Sequence, residues 1–401
     1  MNPLLPFSVC VPDAEAHPFD GRLYLYGSFD LPGRNAYCSD RYHVYSTDDM
    51  QNFTDHGVSF QTPDFLYAPD CARIGDRYCL YYCGPNGIEG MADSASPAGP
   101  FTDRGLLPGI SGSGIDPAVF VDDDGQIYYF WGQFQLCGVR LKEDGFTPDQ
   151  STYHACLLDE YRDGFHEGSS IRKRGQYYYL VYTDISRGRA TCLSYAMSEH
   201  PLGPYEKKGV IIDNLGCDPY TWNDHGSIEE FHGQWYVFYH RSTRCSGASR
   251  CVCCEKIDFD ENGLLREAEM TTQGPEPPIP AGKIVEGWRF CFQSGRSYAC
   301  DDNDAPVCRM APGDWVTFRY FDLPKKQYKL SCTFRNLQAN ALIAVSWGSF
   351  RGQHDLAMLT PEKPEAVITF TDEQPSKGRQ LYFTANMTVD LVSFVLTEVT
   401  P

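Results

Sequence analysis

One sequence pattern recurs five times in the first 241 residues, and it constrains the fold more than any other feature of the chain. Each copy consists of an apolar run, a glycine, one or two further residues and an aromatic-rich segment. Each copy predicts a β-hairpin, because glycine adopts turn conformations that other residues resist. The copies lie about fifty residues apart, at 17–28, 72–83, 120–132, 171–183 and 229–241.

A period near fifty residues with several strands per repeat is typical of a propeller blade, since one blade cannot bury both faces until its neighbours stack around an axis. A second element repeats as well. Residues 94–105 and 198–209 share Ser, Pro, Gly, Pro, an aromatic residue and Gly, and they lie two periods apart. The pattern therefore predicts an all-β protein whose residues 1–272 form a five-bladed β-propeller.

The length of the chain favours a second domain, because 401 residues exceed one ordinary domain. Residues 273–282, with the sequence QGPEPPIPAG, are rich in Pro and Gly and predict a linker. Beyond it, alternating runs such as WVTFRYFDL, YKLSCTF and VDLVSFVL are typical of sandwich strands. We therefore expect a β-sandwich over residues 283–401.

Charge and targeting signals exclude several classes of protein. A formal net charge of −19 opposes binding to nucleic acid or to an anionic membrane, whereas a neutral oligosaccharide is not repelled. The first residues lack the features of a signal peptide, and no later stretch is long enough to span a membrane. We therefore expect a cytoplasmic protein, with no nucleic-acid or membrane partner, whose 17 cysteines are mostly reduced thiols.

Four chemically active side chains precede the repeated glycines by eight or nine positions: Asp13, Asp116, Glu167 and His225. Inner strands of a propeller line its central channel, so equivalent positions in different blades converge there. Each residue alone has an ordinary explanation. The two aspartates could cap turns, Glu167 could be a solvated loop acid, and His225 could be a buried structural histidine. Their equivalence across blades favours one shared site.

Hydrolysis of a glycosidic bond requires such a group of side chains. One carboxyl protonates the leaving oxygen, and a second acts as base or nucleophile on the other face of the sugar. A third carboxylate beside the acid keeps it protonated near neutrality by like-charge repulsion. Motifs of other chemistries, such as GxGxxG after a strand, HExxH and GxSxG, do not occur.

Five segments resemble glycoside hydrolase family 43 in the family's order, over residues 8–270. The resemblance implies an inverting five-bladed propeller in which Asp13 is the general base, Glu167 the general acid, and Asp116 the residue that tunes and orients the acid. The acid motif is EGS where the family often has EGP. The segments are VPDAEAHPFDGRLYLYGSFD, YAPD, GIDPAVFVDDDGQIYYFWG, EGSSIRKRGQYYYLVYT and NDHGSIEEFHGQWYVFYHR.

The resemblance also implies a substrate-binding set. His225 matches a histidine that supports the floor of the funnel, often through a water or a calcium ion, and Arg250 matches an arginine that contacts sugar hydroxyls or the acid pair. Phe29, Tyr67 and Trp222 are expected walls for the sugar, with core packing as the alternative, and a surface salt bridge is the alternative for Arg250. No cofactor is expected to be required, and a structural calcium reached through water near His225 is the one candidate metal.

The expected function is that of an inverting exo-glycoside hydrolase that releases terminal α-L-arabinofuranosyl residues from arabinose-containing oligosaccharides. Two alternatives remain open: a β-xylosidase acting on xylo-oligosaccharides, and a non-catalytic sugar-binding propeller. The C-terminal segment resembles a diverged family 6 carbohydrate-binding module.

Overall fold

The computed structural model describes residues 1–110, 114–302, 305–349, 352–371 and 377–399. Strands dominate this part of the chain, and the prediction of an all-β protein is confirmed. The described helices are short: one α-helix, α1 (Glu160–Asp163), and 3-10 turns at Pro85–Gly87 and Gly287–Arg289. None of the described helices is long and apolar enough to cross a membrane.

Residues 15–257 form five consecutive antiparallel sheets, of which the first four have four strands and the fifth has three. Within each sheet the strands follow chain order. Their bounds are β1 (Glu15–Phe19), β2 (Arg22–Tyr26), β3 (Ser39–Thr47), β4 (Thr54–Leu66), β5 (Asp70–Ile74), β6 (Arg77–Gly84), β7 (Ile88–Ser94), β8 (Thr102–Leu106), β9 (Ala118–Val121), β10 (Ile127–Trp131), β11 (Cys137–Leu141), β12 (Pro148–His154), β13 (Phe165–Arg174), β14 (Tyr177–Asp184), β15 (Cys192–Ser198), β16 (Glu206–Asp213), β17 (Ser227–Phe231), β18 (Gln234–Thr243) and β19 (Ser246–Ile257).

The first strands of the five sheets contact one another in cyclic order: β1 with β5, β5 with β9, β9 with β13, β13 with β17, and β17 with β1. Buried polar contacts join them. Arg172 on β13 donates to Glu15 on β1 at 3.1 Å and to Glu229 on β17 at 2.6 Å, and Asp70 on β5 accepts the amide of Val119 on β9 at 2.7 Å. All five inner strands therefore contribute to the polar contacts around one axis.

The N-terminal segment joins the fifth sheet and so closes this arrangement. The amide of Leu4 donates to the carbonyl of Val252 on β19 at 2.9 Å. Ala14, just before β1, forms a parallel bridge with Gly226, just before β17. The two ends of the cyclic arrangement are thus tied by backbone hydrogen bonds.

Two six-stranded sheets follow. β20, β22, β25, β27, β28 and β30 form one, and β21, β23, β24, β26, β29 and β31 form the other. Their bounds are β20 (Ile279–Pro280), β21 (Val285–Glu286), β22 (Phe292–Gln293), β23 (Tyr298–Cys300), β24 (Val307–Met310), β25 (Trp315–Asp322), β26 (Gln327–Arg335), β27 (Ile343–Ser349), β28 (Gly352–Leu359), β29 (Glu365–Thr369), β30 (Lys377–Ala385) and β31 (Val389–Glu398).

The two later sheets share one hydrophobic core. Phe394 on β31 contacts Phe318 on β25 and Phe383 on β30, with ring centroids 4.8 and 5.0 Å apart. The segment expected to be a linker reaches into this part of the molecule, because β20 pairs in parallel with β25.

Contacts between the later sheets and the fifth sheet fix the two parts against each other. The guanidinium of Arg241 on β18 is buried over the ring of Phe290, 5.4 Å from its centroid. The amide of Arg244 donates to the carbonyl of Ala299 on β23 at 2.7 Å.

All 17 cysteines are free thiols, and 14 of them are buried.

Candidate active site

A cavity of about 500 Å³ brings together seven of the eight residues that the sequence singled out. The seven belong to loops and strands of all five early sheets, so the cavity depends on their cyclic arrangement. They are Asp13, Tyr67, Asp116, Glu167, Trp222, His225 and Arg250.

Asp13 and Asp116 occupy equivalent backbone positions, just before the inner strands β1 and β9. Both have a left-handed backbone, with φ of 58° and 57°. This conformation is uncommon outside glycine, although aspartate tolerates it better than most residues. The same unusual geometry in two sheets explains why the two carboxyl groups reach the same cavity.

Glu167 reaches the cavity through an irregularity in β13. The pairing of β13 with β14 shifts register on both sides of Glu167, and Gly168 has a φ of 67°. Bulges of this kind re-aim side chains beside active sites. The carboxyl group of Glu167 is half-buried and accepts a hydrogen bond from Nε2 of Gln133 at 2.8 Å.

Asp13 is surrounded by donors. Oδ1 accepts from Nη1 of Arg250 at 2.9 Å and lies 3.5 Å from Nδ1 of His240, while Oδ2 accepts from the hydroxyl of Ser28 at 2.6 Å. Burial raises the pKa of Asp13, but Arg250 and the neighbouring histidines outweigh it, so the pKa lies below its ordinary value. Asp13 is therefore held ionised.

The pKa of Asp116 is shifted in the opposite direction. Burial raises its pKa well above the ordinary value, and the nearby carboxyl groups of Glu167 and Asp13 raise it further. His225 lies between the two aspartates, with Nδ1 3.8 Å from Oδ1 of Asp13 and 3.9 Å from Oδ2 of Asp116. Burial lowers the pKa of His225, so its ring is neutral near pH 7. The cavity therefore brings together one carboxyl group whose pKa is lowered and one whose pKa is raised.

Arg250 is a buried bridge, which excludes the alternative of a surface salt bridge. Its side chain is buried, and Nε and Nη2 donate to the two carboxylate oxygens of Asp30 at 2.9 and 3.0 Å. The ring of Tyr37 lies 4.9 Å from the guanidinium carbon. Such two-pronged pairing holds Arg250 in one orientation, in which Nη1 reaches Asp13.

The predicted aromatic walls divide into two groups. Tyr67 and Trp222 line the cavity, and Trp222 is half exposed. Phe29 is not one of the described residues that line the cavity. Its ring stacks on the ring of His43, with centroids 4.4 Å apart, and packs against the hydrophobic core of the first sheet. Its contact with sugar therefore stays a prediction.

Several residues of the site were missed by the sequence analysis. Tyr37 and Phe65 add aromatic surface to the cavity, and Gln133 holds Glu167. None of the three belongs to the repeated hairpin pattern. Gln133 follows the aromatic run of the third repeat by two residues, and a polar side chain at that position was the only available signal.

The side chains around His225 do not fit a directly bound calcium ion. Calcium takes six to eight oxygen ligands at about 2.3–2.6 Å. Here Oδ1 of Asp13 already accepts from Arg250, and His225 offers a nitrogen. No chemical step is therefore assigned to a metal at this site.

Comparisons with known proteins show a family and several chains that are similar to this one. A sequence profile described as "Glycosyl hydrolases family 43" matches residues 2–265. A "Xylosidase/arabinosidase" of Thermoclostridium stercorarium is 32% identical over 330 residues, which are 70% of this chain and 69% of that protein.

Two solved structures are similar to this one. A GH43 beta-xylosidase/alpha-arabinofuranosidase from a compost microbial metagenome, in complex with xylotriose and in a calcium-free form, has a TM-score of 0.58 and 27% identity, covering 66% of this chain and 97% of that one. A family 43 arabinoxylan arabinofuranohydrolase from Bacillus subtilis has a TM-score of 0.59 and 21% identity, covering 99% and 97%. The second shows a likeness of fold that extends over the C-terminal sheets.

Proposed function

The chain belongs to the glycosyl hydrolases family 43 and acts on glycosidic bonds, and from that premise we propose that it is an inverting, exo-acting α-L-arabinofuranosidase. Its substrates would be arabinose-containing oligosaccharides, from which it releases terminal α-L-arabinofuranosyl residues. The relatives named xylosidase/arabinosidase and arabinoxylan arabinofuranohydrolase support this choice of sugar.

The observation that carries the proposal is the meeting of Asp13, Asp116 and Glu167 in one cavity, where the pKa of Asp13 is lowered and the pKa of Asp116 is raised. An ionised carboxylate is suited to accept a proton from water. Glu167, held by Gln133 on another side of the cavity, is placed to give a proton to the leaving oxygen. These are the two roles that hydrolysis of a glycoside requires.

In the proposed reaction Asp13 takes a proton from water as the water oxygen forms a bond to the anomeric carbon. The bond from that carbon to the leaving oxygen breaks, and Glu167 transfers its proton to this oxygen. Arg250 keeps Asp13 ionised before the reaction, and Asp116, whose carboxyl group interacts with that of Glu167 through like-charge repulsion, would tune and orient the acid. We expect the carboxyl groups of Asp13 and Glu167 to lie roughly 6.5–9.5 Å apart in the substrate complex, which leaves space for the water.

The stereochemistry tests the inverting mechanism directly. Proton NMR of the first sugar released from an aryl α-L-arabinofuranoside should show the β-anomer before mutarotation. Release of the α-anomer would indicate a covalent intermediate and would contradict the assignment of Asp13 as a base.

A β-xylosidase is the second candidate, because relatives of both activities match the chain and one similar structure holds xylotriose. Hydrolysis of a panel of aryl α-L-arabinofuranosides, β-D-xylosides and galactosides separates the two. The highest kcat/KM identifies the terminal sugar, and the Glu167→Gln and Asp13→Asn variants serve as controls for catalysis by this site. Sugar binding without any turnover would favour the non-catalytic alternative.

The same proposal includes a more detailed description of the two parts of the fold. The five early sheets would be the blades of a five-bladed β-propeller spanning residues 1–272, and the two later sheets a β-sandwich over 283–401 of the carbohydrate-binding type. The cyclic contacts of the inner strands and the shared core of the later sheets support this description. A water-held calcium near His225 and a cytoplasmic location stay predictions.

A further inference from the structure

Phe134 is an exposed aromatic residue beside the acid, and its backbone is unusual. Its φ is 64°, a left-handed value that is rare for a bulky side chain, and 47% of its surface is accessible. Backbone strain of this kind persists only where the surroundings enforce it, and it concentrates at functional sites. The preceding residue, Gln133, holds Glu167.

Backbone hydrogen bonds to His166 and Glu160 fix Phe134 in place. Its amide donates to the carbonyl of His166 at 2.7 Å, and its carbonyl accepts from the amide of Glu160, the first residue of α1, at 2.9 Å. The ring also packs edge-to-face against the ring of His166, with centroids 5.2 Å apart. The exposed aromatic ring is therefore held by three contacts in a defined position beside His166, the residue that precedes Glu167 in the chain.

His166 lines the cavity and carries a polarised imidazole. Nδ1 lies 2.5 Å from Oε1 of Glu160. An ionised carboxylate can only accept, so Nδ1 donates and Nε2 is the ring nitrogen that remains for a ligand. A hydrogen-bonding ring that lines the cavity beside Glu167 is thus in contact with an exposed apolar ring just outside the cavity lining.

We propose that Phe134 and His166 form the binding site for the leaving-group sugar. The proposal rests on the assignment of Glu167 as the acid: the acid protonates the leaving oxygen, so the leaving group must lie on its side of the cavity. The apolar face of a sugar ring packs on an aromatic ring, and a hydroxyl group of the same sugar reaches Nε2 of His166.

An exposed aromatic side chain is not by itself a binding site, and the neighbouring helix provides the contrast. Tyr161 on α1 is fully exposed, and its backbone is helical. Phe134, in contrast, combines exposure with a left-handed backbone and with contacts to His166, which lines the cavity, and to Glu160. Tyr161 is therefore the matched control for the role of Phe134.

The experiment compares two leaving groups attached to the same terminal sugar. We would measure kcat/KM on 4-nitrophenyl α-L-arabinofuranoside and on an arabinofuranosyl-substituted xylobiose, for wild type, Phe134→Asn, Phe134→Tyr, His166→Phe and Tyr161→Ala. Asn tolerates the left-handed backbone and removes the ring, while Tyr keeps the stacking surface. If the terminal sugar proves to be xylose, 4-nitrophenyl β-D-xyloside and xylobiose replace this pair.

The ratio of kcat/KM on the oligosaccharide to that on the aryl glycoside should fall about tenfold in Phe134→Asn and severalfold in His166→Phe. It should stay within about twofold of wild type in Phe134→Tyr and in Tyr161→Ala. Equal losses on both substrates would indicate a structural role, and unchanged ratios would show that the two residues do not contact the leaving sugar. Either result would overturn the proposal.

Binding measurements keep this test separate from the proposed function. Xylobiose, which represents the leaving group, should bind Phe134→Asn about tenfold more weakly than wild type in calorimetric titration, whether or not the protein turns over any substrate. If wild type hydrolyses no glycoside but binds xylobiose more tightly than Phe134→Asn does, the proposed function is wrong and the proposed sugar-binding site is supported. If hydrolysis is observed and the affinities are equal, the sugar site fails alone.

Discussion

Arg250 donates from Nη1 to Oδ1 of Asp13 at 2.9 Å, and both side chains are at least 94% buried. The same guanidinium pairs with both oxygens of Asp30, so one cation stabilises two buried carboxylates. Without it, burial would favour the protonated form of Asp13. The ability of Asp13 to accept a proton from water therefore depends on a residue that lies 237 positions away in the chain.

Replacing Arg250 by methionine should therefore move the acid limb of the pH profile. The pKa of Asp13 is lowered by Arg250, and the base works only when ionised, so activity is lost as the pH falls through this pKa. In Arg250→Met the pKa should rise, and the acid limb of kcat/KM should shift upward by about one pH unit or more. The profile of kcat/KM against pH on an aryl glycoside measures this shift.

Arg250→Lys is the matched control, since it keeps the charge and loses the two-pronged contact with Asp30. Its acid limb should lie between those of wild type and Arg250→Met. A folded Arg250→Met variant whose acid limb coincides with that of wild type would show that Arg250 does not set the ionisation of Asp13.

The roles of Glu167 and Asp13 differ in their dependence on the leaving group. Glu167→Gln should lower kcat by about 10²–10⁴-fold on a glycoside with a poor leaving group, because no proton reaches the departing oxygen. The loss should be much smaller on a 2,4-dinitrophenyl glycoside, whose leaving group needs no proton. Asp13→Asn should lose activity to a similar extent on both substrates, and the reverse pattern would exchange the two roles.

The central residues of the candidate site could be predicted from the sequence because they occupy equivalent positions in the repeats. Asp13, Asp116 and His225 each lie two residues before an inner strand, and Glu167 lies near the start of the inner strand β13. The structure brings all four to one cavity. Gln133 lies in a connection between strands, where loop length differs from sheet to sheet. No repeat marks such a position, so its contact with Glu167 required the structure.

The same distinction between local and distant contacts applies to the fold. Hairpins are local, and the five predicted copies coincide with the first two strands of the five sheets. The pairing of Ile279–Pro280 with β25 is distant, and the Pro-rich composition of residues 273–282 indicated only a break in the repeat. β20 lies at the edge of its sheet, where proline is tolerated because one side of the strand needs no ladder hydrogen bonds.

Glu89 should make the stability of the protein depend on pH. Burial raises the pKa of Glu89 from 4.5 to about 8, against a hydrogen bond from the hydroxyl of Tyr129. Between these values the folded state keeps a proton that the unfolded chain releases. The free energy of unfolding should therefore decrease as the pH rises from about 4.5 to about 8, by up to about 1.4 kcal/mol per pH unit for one proton.

Glu89→Gln replaces this group by a neutral one of the same shape that still accepts from Tyr129. The free energy of unfolding of the variant, measured by chemical denaturation at several pH values, should decrease less steeply with rising pH than that of wild type. The difference between the two slopes should correspond to at most one proton. Glu199→Gln alters an exposed glutamate and should keep the slope of wild type. Identical slopes for Glu89→Gln and wild type would mean that Glu89 is ionised in the folded protein.

Asn2 should be the residue whose loss most weakens the closure of the early sheets. Its buried side chain accepts from the amide of Cys254 at 2.9 Å and donates to Glu255 at 2.8 Å and to the carbonyl of Thr271 at 3.1 Å. Asn2→Ala leaves these buried groups unpaired and should lower the free energy of unfolding by about 2–4 kcal/mol in chemical denaturation. Asn52→Ala, at an exposed position, should cost less than about 0.5 kcal/mol. Equal stabilities of the two variants would show that the hydrogen bonds of Asn2 do not contribute to closure.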